Sequence, residues 1–157
     1  METFCMESPI GNLKIIGDSE GISKVTFTED ALEICDKIPE VLSKAVMQLN
    51  EYFSKKRKVF DLKLNPKGTA FQKKVWKTLQ NVEFGKTQSY QQIANNLGDP
   101  KVIRAAASAN GKNPIAIIIP CHRIVGSDGS LTGYAGGLHR KKWLLEHESP
   151  VFQGELF

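Results

Sequence analysis

In the stretch IPCHRIV, residues 119–125, a thiol is followed at once by an imidazole and a guanidinium. Cys121 can be read there as core filler, as a metal ligand, as half of a disulfide or as a nucleophile. Spacing argues against the second and third. The chain has three cysteines and three histidines, with no CxxC pair among Cys5, Cys35 and Cys121, and an odd number leaves one thiol over. No metal and no cofactor is expected. A nucleophilic thiol needs help, because a free cysteine with a pKa of about 8.5 is only a few per cent thiolate at neutral pH. His122 and Arg123 can supply a base or positive surroundings. Adjacent side chains in extended chain point to opposite sides, so the imidazole would reach the sulfur through a bridging water. Its other nitrogen would need an acceptor to fix the tautomer, and Glu146 or Glu148 can serve. On local grounds alone, a lone cysteine behind an isoleucine-rich run is more simply core filler.

The surrounding elements must position these groups. The run IAIII, residues 115–119, has the β-branched density of a buried strand, which puts PCH at a strand end. Upstream, Thr69 with Gln72 and Ser89 with Gln92 form two capping boxes, each opening a short helix with an apolar stripe: Phe71, Val75 and Leu79 in the first, Tyr90, Ile93 and Leu97 in the second. Gly98 ends the second helix, while Asp99 as N-cap and Pro100 at the first helical position open a third over PKVIRAAASAN. That spacing is helix, tight turn, helix. After Arg104 come Ala105, Ala106, Ala107, Ser108 and Ala109, small side chains that let the backbone approach another surface or pack tightly within its own domain.

The first third reads differently. LKII and VTF are strand segments, residues 41–53 have one apolar helical face, and VFDLKL alternates as a further strand. NPKG, residues 65–68, breaks the pattern and is the expected domain boundary, separating residues 1–65 from 69–150.

With 157 residues, 41% of them apolar, the chain can bury a proper core, which argues against disorder. No apolar run approaches the roughly 18 residues of a membrane span, and the N-terminus lacks the basic start and apolar segment of a signal peptide. A soluble intracellular protein is expected, cytoplasmic or, in a eukaryote, nuclear. The net charge is only +4, but KKRK at residues 55–58, Lys73 with Lys74, and RKK at residues 140–142 cluster basic groups. Such clusters suit a polyanion or are simply a solvated face. Val151, Phe152, Leu156 and Phe157 of the tail are read as docking on the body.

The block NPIAIIIPCHRIVGSDGSLTGYAGGLHRKKWLLEHE, with FGKTQSYQQIA and the arginine of PKVIRAAASANGKNP before it, resembles the O6-alkylguanine-DNA alkyltransferase family. The likeness covers roughly residues 69–148. It implies an α+β chain: a small N-terminal α/β domain, ribonuclease H-like, then a mainly helical, winged-helix-like domain with a helix-turn-helix. It also implies direct DNA repair, in which a guanine alkylated at O6 in double-stranded DNA is flipped into a pocket and its alkyl group moves irreversibly to Cys121. By the same resemblance, Glu148, His122 and a water relay the proton, and Asn113 holds the turn by hydrogen bonds. Arg104 replaces the flipped nucleotide as a wedge, with Tyr90 aiding the rotation. Ala105, Ala106 and Ser108 of the second helix of the motif face the minor groove, and Arg123 contacts DNA. The carbonyls of Cys121 and Ile124 accept the guanine amine; the amide of Ala135 and the hydroxyl of Tyr90 assist the leaving base. Tyr134 and Gly136 shape the pocket wall.

The product would be a thioether that nothing cleaves, so the protein would act once, without membrane or cofactor, as a monomer whose cooperation along DNA the sequence leaves open. Two other classes stand beside this one: a lesion-binding protein without chemistry, and a Cys-His hydrolase with turnover.

Overall fold

The structure is a computed structural model that describes residues 1–29 and 37–149. Cys35 and the apolar tail residues Val151, Phe152, Leu156 and Phe157 lie outside the described residues. The chain is α+β and divides into two compact units, Met1–Lys67 with Pro114–Ala116, and Gly68–Asn113 with the residues from Ile117 onward.

In the first unit, β1 (Glu2–Met6), β2 (Asn12–Asp18) and β3 (Gly21–Thr28) form an antiparallel sheet in chain order. The alternation in β2 sends Leu13 and Ile15 inward, where they meet Val25 and the inner face of helix α1 (Glu40–Phe53), whose Leu42, Ala45, Leu49 and Tyr52 are buried. Two of these strands follow from LKII and VTF; β1 was not anticipated, because the short, partly exposed segment has little periodic signal.

Two expected strands are not strands. In VFDLKL only Leu64 bridges, in parallel, to Ile22. The backbone of Asp61 is instead satisfied by a side chain, with Asp61 N donating to Gln48 Oε1 at 2.9 Å and Gln48 Nε2 donating to Asp61 O at 3.1 Å. The carboxamide imitates a neighbouring strand, so the segment keeps its alternation without joining the sheet. In IAIII only Ile115 makes a bridge, to Val25, and residues 116–118 form a turn. Ile117 has φ of 72°, a left-handed conformation that costs a β-branched residue roughly 1–2 kcal/mol. Ile115, Ile117 and Ile119 are nonetheless wholly buried. Apolar density there reports burial, which a turn can supply as well as a strand.

In the second unit, α2 (Ala70–Leu79) and α3 (Tyr90–Asn96) both begin with complete capping boxes, Thr69 with Gln72 and Ser89 with Gln92. Gly98, at φ of 93°, turns the chain; Asp99 caps a 3-10 turn, Pro100–Val102, that leads into α4 (Ile103–Gly111). Trp76 Nε1 donates to Ala109 O at 2.8 Å and ties α2 to α4 through the core. After a 3-10 turn, Cys121–Arg123, the two-residue strand β5 (Ile124–Val125) pairs in parallel with β4 (Gln88–Ser89), and α5 (Leu138–Glu148) closes the unit. Among the described residues, no helix is long and apolar enough to cross a membrane.

Candidate active site

The thiol of Cys121 opens a single 3-10 turn held on both flanks. Cys121 N donates to Ile119 O at 2.8 Å, and Asn113 Nδ2 donates to the same carbonyl at 2.8 Å. Arg123 N donates to Pro120 O at 3.0 Å. Cys121, His122 and Arg123 are all buried, and His122 is fully so. Burial pushes the Cys121 thiol above its ordinary pKa, while a hydrogen bond from the Asn113 side chain and the charge of Lys141 pull it back in part. The resting sulfur is therefore protonated, and as a nucleophile it would need a base.

His122, the neighbouring side chain, is oriented from α5. His122 Nε2 lies 2.7 Å from Glu148 Oε2. Arg123 grips the same carboxylate, Nε donating to Oε1 at 2.7 Å and Nη2 to Oε2 at 2.9 Å, while its Nη1 donates to Val82 O at 2.7 Å. Burial alone would raise the Glu148 carboxyl, but the charge and hydrogen bonds of His122 and Arg123 outweigh it and hold it far below the usual carboxylate range. An ionised carboxylate only accepts, so His122 must carry its proton on Nε2. In the neutral ring, Nδ1, which is buried and has no hydrogen-bond partner among the described residues, presents a lone pair that can take a proton. Of the two acids left open by the sequence, Glu148 is the acceptor; Glu146 instead faces Lys142 across 3.9 Å near the surface.

The depressed Glu148 carboxyl links stability to pH. The unfolded carboxyl, with a pKa of about 4.3, takes up a proton before the folded one does, so this group contributes stability above that value and loses it as pH falls further. Thermal melting between pH 7 and pH 3 should show Tm falling below about pH 5, with a flatter dependence in Glu148→Gln.

Arg123 does not face outward as a DNA contact. It is 6% exposed, its donors are taken by Glu148 and Val82, and its guanidinium lies 5.8 Å from the Phe84 ring centroid. The RKK cluster is likewise no basic patch: Arg140 Nη1 donates to Gly136 O, Lys142 faces Glu146, and Lys141 is wholly buried. Lys141 is the residue that sequence reasoning missed as part of the site. The signal was present, since it lies seven residues before Glu148 and thus on the same face of α5.

The remaining expected site residues lie in the same unit. Tyr90 opens α3, and its hydroxyl accepts a hydrogen bond from Thr132 Oγ1 at 3.1 Å. Tyr134 is half-buried, with its hydroxyl inside; burial, then the negative charges of Cys121 and Glu148, push its phenol well above the ordinary value. Ala135 is exposed, Gly136 half-buried, and Gly137 N donates to Tyr134 O at 2.9 Å in the turn before α5. Ile124 is buried and its carbonyl accepts from Lys141. On α4, Arg104, Ala105 and Ser108 are exposed, whereas Ala106 is 1% exposed. Ala106 thus packs inside, a correction to its expected place on the groove-facing side: helical spacing puts it with Ala109 and Asn110, on the buried side.

Family models match nearly the whole chain. Residues 3–66 match the 6-O-methylguanine DNA methyltransferase ribonuclease-like domain, and residues 70–150 match the DNA binding domain of the same family. A methylated-DNA--protein-cysteine methyltransferase of Methanosarcina acetivorans is 46% identical over 149 residues, spanning 90% of this chain and 94% of that one. The crystal structure of Mycobacterium tuberculosis O6-methylguanine methyltransferase superposes with a TM-score of 0.85 at 42% identity, covering 99% of this chain and 96% of that one. That of Mycobacterium tuberculosis OGT in complex with DNA gives 0.86 at 42% identity, covering 96% of each. The turn that carries Cys121, the acid that fixes His122 and the helix-turn-helix before them thus sit in a chain that belongs to the 6-O-methylguanine DNA methyltransferase family.

Proposed function

We propose that the protein repairs double-stranded DNA by accepting the alkyl group of O6-alkylguanine on Cys121, once per molecule. The observation that carries this reading is the Nε2 contact of His122 with Glu148 at 2.7 Å, which leaves Nδ1 as the basic nitrogen of a residue adjacent to a buried thiol. In the reaction, the Cys121 proton passes through a water to Nδ1, and the imidazolium formed is stabilised by the Glu148 carboxylate. The sulfur attacks the alkyl carbon in line; the new S–C bond forms as the C–O6 bond breaks, and its electron pair goes to O6. Guanine leaves with a proton from the Tyr90 hydroxyl, helped by the Ala135 amide, and Tyr90 regains a proton from water as the imidazolium gives its own up to solvent. The thioether contains no leaving group that His122 can activate, so the site is consumed.

The target atom is enclosed in the duplex, so the nucleotide must leave the stack. Arg104 is exposed near the start of α4 and suits the vacated space, while Ala105 and Ser108 flank it with little bulk. Replacing Arg104 by alanine should slow transfer from a duplex roughly 10-fold or more while changing reaction with the free alkylated base by less than about twofold. Single-turnover kinetics on both substrates tests this; equal slowing removes Arg104 from the flipping step.

A further inference from the structure

We propose that Thr132 is a positioning residue for alkyl transfer, supplying the hydrogen bond that orients the Tyr90 hydroxyl and stabilises its oxygen while the proton passes to guanine. This rests on the alkyl-transfer reading above. Thr132 Oγ1 lies 3.1 Å from the Tyr90 hydroxyl, across 42 residues of chain. The two hydroxyls belong to segments that are fixed independently. Tyr90 is the first residue of α3, directly after Ser89, whose capping box holds the helix start and whose backbone pairs with Val125. Thr132 is exposed, in a stretch, residues 130–134, without helix or strand, yet its carbonyl accepts from Lys141 Nζ at 2.7 Å. Its side chain is β-branched and stiff about χ1, so anchoring the backbone also limits where the hydroxyl can point.

The direction of the bond follows from the reaction. A hydroxyl both donates and accepts, so the Tyr90 oxygen can accept from Thr132 while its own proton points at the base. Once that proton has gone, the phenolate only accepts, and Thr132 must donate. Thr132 itself loses no proton: its O–H bond stays whole, the Tyr90 O–H bond breaks, and guanine takes the proton. A donor already aimed at an oxygen needs no rearrangement as charge develops there. Water could make the same contact to the half-exposed phenol, but a base entering the pocket can displace it, whereas a donor tethered to the chain remains.

The test uses the full chain with Thr132→Val, Thr132→Ser, Tyr90→Phe and the double variant Thr132→Val with Tyr90→Phe. Transfer is followed in single turnover with a duplex containing O6-methylguanine, with free O6-methylguanine and with its 8-bromo derivative, whose electron-poor ring leaves with less help from a proton. Thr132→Val keeps the branched shape and loses only the hydroxyl. It should slow transfer roughly 10-fold from the duplex and from the free base alike, and less from the 8-bromo base, with duplex affinity unchanged. Thr132→Ser should hold the rate within about threefold of the wild type. In the Tyr90→Phe background, Thr132→Val should have no further effect, because the oxygen it acts through is gone. A wild-type rate in Thr132→Val overturns the proposal, as do slowing on the duplex alone, equal slowing with the 8-bromo base, or additive effects in the double variant. Should Thr132→Val not fold, Thr132→Ala takes its place with the same expectations. A wild type that gains no methyl from any of the three substrates overturns the alkyl-transfer reading and this proposal with it, whereas transfer in the wild type with an unaffected Thr132→Val overturns this proposal alone.

Discussion

Cys121→Ser should abolish transfer altogether: intact mass spectrometry after incubation with a duplex containing O6-methylguanine should show a gain of one methyl in the wild type and none in the variant. A hydroxyl is a far weaker nucleophile than a thiolate, and the His122–Glu148 pair cannot ionise it to the same degree. Because the two side chains are nearly the same size, the buried turn should stay intact, and the variant should bind the damaged duplex as the wild type does. A second addition of substrate to the wild type should add nothing further. An unmodified wild type that still binds tightly would mark a lesion-binding protein, and repeated turnover on an ester a hydrolase.

The second large effect is expected at Glu148. Glu148→Gln keeps the shape but removes the charge that both His122 and Arg123 are buried against. Breaking a buried pair from one side costs about 3–5 kcal/mol, because the remaining guanidinium has no counter-charge. At about 2–4 °C per kcal/mol for a chain of this size, Tm should fall by roughly 10 °C. Transfer should slow by about 10²–10⁴-fold at a temperature where the variant is folded, since the imidazolium formed on proton transfer is no longer stabilised. Glu146→Gln is the control. Its partner Lys142 is half-exposed, so neither Tm nor transfer should change measurably.

These expectations show where the sequence was legible. Capping boxes are local, since Thr69 and Gln72 or Ser89 and Gln92 need only each other, and both formed as their spacing predicts. The helix-turn-helix follows from them, whereas the α+β class was implied by the family resemblance. The glutamate partner of His122 is separated from it by 26 residues, and only packing could choose Glu148 over Glu146. The side chains misread are those whose destination depends on distant partners. Arg123 and Lys141 belong to types that usually stay in water; Arg123 is taken inside by acceptors that no local pattern reveals, and for Lys141 only its spacing to Glu148 on α5 marks the buried face. IAIII failed as a strand for a related reason, because burial of all four isoleucines erases the alternation that distinguishes one secondary structure from another.

The smallest element of the second unit sets its most consequential dimension. Gln88 and Ser89 pair in register with Ile124 and Val125, and Tyr90 follows directly from Ser89 as Ile124 does from the turn of Cys121. These two pairs act as a ruler between the helix pair that would grip the duplex and the sulfur that would receive the alkyl group. A slip of one residue would displace one end by about 3.3 Å and turn its side chains to the opposite face, more than an in-line displacement tolerates. Changes in chain length are therefore admissible in the exposed loop around Asp128 and Gly129, which lies beyond the ladder, and not between Cys121 and Val125.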